Sequence, residues 1–170
     1  MGYTHDTAMS QYIPPTLVHA VTGAWTWTAG AVTGTIAKRV AATDETTVIN
    51  IPIIIPSNSI AEKGARLTSI EVDFEILTAA CDAVDALVNL VERGLDTAVA
   101  VVTAQAFSYD TGHDTAAERY AVEQHRMTLT LTTPIWLTNN QYVLVEITAN
   151  KAATTTIQVL SAVANYTLRL

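Results

Sequence analysis

A chain of 170 residues is long enough to bury a core of its own and fits one domain. Its net charge of −7 and its scattered Lys and Arg exclude the clustered basic stripe that a nucleic-acid groove needs. The single cysteine, Cys81, excludes an internal disulfide and a cysteine-based zinc centre, and no window holds the roughly 18 uninterrupted apolar residues of a membrane helix.

The N-terminus MGYTHDTAMSQYIPP lacks a basic and then hydrophobic leader, so no cleaved signal peptide is expected. Asp6 stands where a myristoylation pattern wants Ser or Thr. Residues 1–15 are polar and end in Pro14 and Pro15, which suit neither a helix interior nor a central strand. They are read as an extended N-terminal arm that reaches a neighbouring subunit, with residues 16–170 as a single β-sandwich domain. The composition agrees with assembly: 49% of residues are hydrophobic and only 15% charged, which leaves apolar surface to bury against another copy.

Strands are predicted over Leu17–Thr28, Gly34–Val40 and Thr46–Ile55. In the last, Ile49, Ile51, Ile53 and Ile55 share one face, while Pro52 removes a ladder donor and points to an edge strand or a bulge. The clearest alternation follows at Thr68–Leu77. Ile70, Val72, Phe74 and Ile76 form an apolar face, and Glu71, Asp73 and Glu75 an acidic one, read as solvated because alternate strand positions lie about 6 to 7 Å apart, too far for one calcium ion. Ala83–Val91 is read as a strand, although Val84, Leu87, Val88 and Val91 also fit a helical stripe. Further strands are predicted at Val99–Phe107, Met127–Thr132, Tyr142–Thr148 and Thr155–Leu170, the last with a break near Ser161. Threonine runs such as TLTLTT suit a pleated surface. Seven to nine strands joined by short turns predict an all-β fold, a jelly-roll-like antiparallel β-sandwich.

Acid-base chemistry concentrates between Tyr109 and Met127. Asp110, His113 and Asp114, with Glu118 and His125 nearby, are candidate metal ligands, although their spacing matches neither HExxH nor an EF-hand loop. Thr115-Ala-Ala-Glu118 reads as a capping box, which explains part of the cluster as a helical turn. There is no GxSxG elbow, no phosphate loop and no GxGxxG fingerprint, so no catalytic residue is assigned and no cofactor is expected. Paired carboxylates of a glycosidase leave no local mark. Trp25 and Trp27, two apart on one strand, are candidates for a sugar-stacking platform, for core or for an interface. Tyr12, Ile13, Pro14 and Pro15 join them as candidate interface residues. Asn165-Tyr-Thr167 matches a glycosylation sequon that has no expected use without secretion.

The run YDTGHDTAAERYAVEQHRMTLTLTTPIWLTNNQYVLVEITANKAATTTIQVLSAVANYTLRL, together with IPSNSI and SIEVDFEIL, resembles small bacteriophage virion proteins that decorate capsids or form head fibres. That resemblance implies a homotrimer assembled in the host cytoplasm and attached to a capsid or similar particle through its N-terminal arm. It carries no enzymatic activity and no functional residue. Two other readings stand beside it: a carbohydrate-binding or adhesion module using Trp25 and Trp27, and a metal-dependent enzyme at Asp110, His113 and Asp114. Neither nucleic acid nor membrane is an expected partner.

Overall fold

Period-two alternation becomes two antiparallel sheets in a computed structural model, which describes residues 5–29, 32–40, 43–56, 64–94, 99–151 and 154–169. In chain order the strands are β1 (Asp6–Ile13), β2 (His19–Thr22), β3 (Trp25–Ala29), β4 (Val32–Val40), β5 (Glu45–Ile53), β6 (Ala65–Leu77), β7 (Cys81–Glu92), β8 (Val101–Gln105), β9 (Phe107–Tyr109), β10 (Gln124–Trp136), β11 (Gln141–Lys151) and β12 (Thr156–Arg169). A 3-10 turn at Pro15–Leu17 and the helical turn α1 (Ala116–Arg119) interrupt them.

The first sheet runs β3-β4-β12-β6-β10-β9, with β1 also on β12, and the second runs β2-β5-β11-β7-β8. Thus β4, β6, β10 and β12 lie in one layer and β5, β7, β8 and β11 in the other, so the chain changes sheet at most steps. This is the two-sheet jelly roll. Ile70, Val72, Phe74 and Ile76 of β6 and Ile49, Ile51 and Ile53 of β5 are at most 1% exposed, and they build one core between the layers. Each such side chain contributes roughly 1.5 to 3 kcal/mol before entropy is charged. The acidic face of β6 is met by donors of the flanking strands. Arg126 pairs with Asp73, Ser161 donates to Asp73, Asn165 to Glu71, and Gln158 to Glu75.

Several local expectations resolve in the register. Residues 81–92 form a strand, and Leu87, 51% exposed, leaves the supposed helical stripe to face outward. Pro52 pairs with Leu144 beyond the reach of β2, which covers β5 only between Val48 and Asn50, so β5 is locally an edge where the proline sits. In place of a break near Ser161, β12 bulges between Val159 and Ser161 and continues. Before the bulge its outer edge carries β4, and after it carries β1. From Asp6 onward the expected arm therefore lies antiparallel along its own chain, Asp6 opposite Arg169 and Ile13 opposite Ala162. Residues 1–4 lie outside the described residues.

Candidate functional site

Asp110 follows β9, His113 lies in the next turn, and His125 opens β10, so the strand pairing brings all three together. The Asp110 carboxylate accepts from Thr128 N at 2.6 Å, Gly112 N at 2.9 Å and His113 Nδ1 at 2.8 Å. Burial acts to raise its pKa, but these donors outweigh burial and hold it below the usual carboxylate range. His113 Nε2 lies 3.3 Å from His125 Nδ1, and His125 Nε2 donates to the Ala121 carbonyl at 3.0 Å. The His125 ring stacks on Phe74 with centroids 4.5 Å apart. Asp110 and the Ala121 carbonyl both accept, which makes His113 Nδ1 and His125 Nε2 the donors of their rings. An Asp-His pair can orient a general base, yet the nitrogen that would act is turned onto a second buried ring.

The metal-ligand expectation is corrected in its membership. Asp110 and His113 meet, but Asp114 is exposed and sits toward Glu118, because the capping box turns the chain there. Thr115 N donates to Glu118 at 3.0 Å and Glu118 N returns to Thr115 Oγ1 at 3.4 Å. Among the described residues no group of three or more His, Cys, Asp or Glu side chains is placed to hold a metal ion.

What the segment does instead is close a sheet edge. β8 pairs with β7 only as far as Val88, leaving the rest of that edge of β7 uncovered. There Ala86 N donates to Tyr109 Oη at 3.0 Å, the Val84 carbonyl accepts from Arg119 Nε at 2.9 Å, and Cys81 N donates to the Tyr120 carbonyl at 3.1 Å. Arg119 is 8% exposed, also donates to the His113 and Asp114 carbonyls, and lies 4.3 Å from the Tyr109 ring centroid. Sequence reading passed over this arginine because a lone Arg in a polar loop gives no sign of burial. Lys151 was missed for the same reason. It is fully buried, its Nζ donates to the Thr155 carbonyl at 2.6 Å, and burial followed by the charge of Arg39 lowers its pKa. Burial likewise pushes the Cys81 thiol up to about 11.

The expected interface residues divide. Ile13, Pro15 and Trp25 are buried inside their own chain, since the pairing of β1 with β12 and the turn at Pro15–Leu17 press them onto the core. Trp25 also donates from Nε1 to the Thr22 carbonyl at 3.0 Å. Tyr12 is 60% exposed, and Pro14 is half-buried. Trp27 shares the inward side of β3 with Trp25 but lies at the rim, where it borders a depression of about 720 Å³ with Leu17, His19, Gly34 and Pro52. Gly34 has φ of +86°, and a Cβ there would stand 2.9 Å from the Thr16 methyl, so glycine keeps this wall in place.

This depression opens onto the outer face of the second sheet. His19 and Pro52 are shared with a second one of about 640 Å³, lined also by Asn50, Ile54, Tyr142 and Leu144. Tyr142 is shared in turn with a third of about 360 Å³, where Arg93, Asn140 and Gln141 stand. The result is a band running from β3 across β2, β5 and β11. Ile54 is 59% and Tyr142 39% exposed, and the side-chain oxygen of Asn50 is buried without a hydrogen-bond partner. Period-two alternation in β5 and β11 produces this face, because every residue between the buried isoleucines and valines must point outward.

No protein-family model matches the chain, and no curated protein matches it. Among solved structures, it is similar to a chain from a study of promiscuous specificity in carbohydrate-binding modules of the β-sandwich superfamily, at 14% identity and a TM-score of 0.39 over 96% of this chain and 56% of that one. It is similar also to a family two carbohydrate esterase from Cellvibrio japonicus, at 5% identity and a TM-score of 0.38 over 98% of this chain and 36% of that one. The chain thus spans about half or less of the length of these neighbours.

Proposed function

We propose that this chain is a non-catalytic binding β-sandwich, a carbohydrate-binding or adhesion module whose ligand lies along the outer face of the second sheet. The observation that carries this reading is the band of linked depressions in which the rings of Trp27 and Tyr142 alternate with the polar groups of His19, Asn50 and Arg93. Concave, mostly apolar surfaces with a few convergent polar groups are the usual form of a small-ligand site. An aromatic ring offers an apolar face to the C–H side of a pyranose, and the side chains of His19 and Arg93 bring polar groups for its hydroxyls. Titration calorimetry against a panel of soluble oligosaccharides tests it. Binding that falls at least tenfold in Tyr142→Ala and Trp27→Ala, with the fold intact, is the expected outcome. Binding indifferent to both substitutions would move the ligand elsewhere.

A second reading is favoured by the exposed valines of β8. In it the chain is a self-assembling structural subunit of a virion surface, a homotrimer docked on a capsid through its N-terminal segment. The exposed Tyr12 would then serve the contact. Native mass by light scattering separates the readings, since a stable trimer that binds no glycan supports the second.

A further inference from the structure

Among the described residues five strands border the sheets: β1, β3 and β9 in the first, β2 and β8 in the second. A border strand directs main-chain N–H and C=O groups away from its neighbour and so offers a template for another strand. Four of these borders are blunted or interrupted: β1 opens with the charged Asp6 and runs directly into Pro14 and Pro15. β2 has four residues and a register shift between Ala20 and Thr22, β3 shifts between Thr26 and Thr28, and β9 has three residues. β8 is different. Its five residues pair regularly with Glu92 to Val88, none is charged or proline, and Val101 to Ala104 are all exposed. In a chain of net charge −7, the run from Val99 to Tyr109 holds no charged residue.

The ladder fixes which groups face out. β11 covers one edge of β7 along its whole length, and Arg93 N donates to Asn140 on that side. The Val84 carbonyl and Ala86 N therefore face the opposite side, where Arg119 and Tyr109 reach them. Antiparallel alternation then assigns Val88, Leu90 and Glu92, with partners Gln105, Thr103 and Val101, to the bonds between β7 and β8. The main-chain groups of Val102 and Ala104 consequently point outward. The Gln105 side chain folds back onto the Thr103 carbonyl at 3.0 Å, an inward-facing group, and so does not cover them.

We propose that β8 pairs with β8 of a second copy of this chain, antiparallel across a two-fold axis at Thr103, which joins the two five-stranded sheets into one. In this register Val102 meets Ala104 of the second copy and the reverse, exchanging about four hydrogen bonds. Thr103 meets its own counterpart in the closer, non-hydrogen-bonded kind of pair, one of the favoured cross-strand combinations. Charge selects the occupant. A two-fold axis at Thr103 sets that residue against its own copy and brings the same net negative charge to both sides, so an uncharged strand in an acidic chain is what such an axis requires. This pairing does not depend on whether the outer face binds a glycan.

Sedimentation equilibrium of the full chain over a dilution series tests the pairing. Wild type should form an even-numbered assembly. Thr103→Lys sets two ammonium groups face to face, and Val102→Pro removes an outward donor without touching the ladder to β7. Each should weaken association at least tenfold with an unchanged circular dichroism spectrum. Thr103→Cys should form an intermolecular disulfide under mild oxidation, since Cα atoms of such a pair lie about 4.5 Å apart, within disulfide range. A monomer at every concentration, an odd-numbered assembly, an assembly indifferent to both the lysine and the proline substitution, or a dimer in which the introduced thiol stays reduced would overturn the proposal.

Discussion

Between Tyr109 and Met127 the chain turns His113, Arg119 and His125 inward and ties Asp110 to them, whereas the outer face of the second sheet between His19 and Tyr142 leaves rings and branched side chains in the open. The first region invites a catalytic reading and the second a structural one. Their hydrogen bonds reverse that impression. Asp110, His113, His125 and Arg119 satisfy one another or the free edge of β7, so their chemistry serves the fold. On the outer face Tyr142 and Ile54 stand exposed beside Leu144 with no element of the described chain covering them. A polar group with every bond made inside its own chain has little left to offer a ligand, and the surface with unmet contacts is the better place to look for one.

The comparison breaks most readily at Arg119. Arg119→Ala leaves the Val84 and His113 carbonyls without their donor and strips the cation from the Tyr109 ring, so a loss of about 3 kcal/mol in unfolding free energy is expected in urea titrations. A loss under about 0.5 kcal/mol would mean that the segment is not the seal described above. Tyr142→Ala should behave in the opposite way. On the proposed reading it weakens glycan binding at least tenfold, about 1.4 kcal/mol, while the melting midpoint barely moves, because Tyr142 is exposed on the outer face.

A finer test uses acid. Asp110 has a lowered carboxyl pKa in the folded chain, so its contribution to stability is full above the ordinary carboxylate value and is lost as pH falls through the folded value. Asp110→Asn should therefore flatten the stability profile between pH 5 and pH 2, by about 1 kcal/mol given the partial exposure of the side chain. Wild type and the Asn variant falling in parallel over that range would assign the acid sensitivity to other carboxylates. The smallest effect is expected from a chelator. Excess EDTA should leave the thermal midpoint where it was, and a lower midpoint in EDTA would return Asp110 and His113 to the role of ligands.

Alternation determined the strands and much of the core: the buried face of Ile70, Val72, Phe74 and Ile76 can be read directly, because a side-chain period of two holds along any half-buried strand. The capping box at Thr115 and Glu118 was equally legible, being built from residues three apart. The sequence by itself did not show that β1 returns to β12 or that Arg119 and Lys151 are buried. Each depends on residues far apart in the chain, as when Arg119 meets Val84 across 35 positions and Ser10 meets Asn165 across 155. Local pattern specifies which way a side chain points from its own strand. Only the packing of the two sheets decides what it meets there, and so which polar groups are left for a partner.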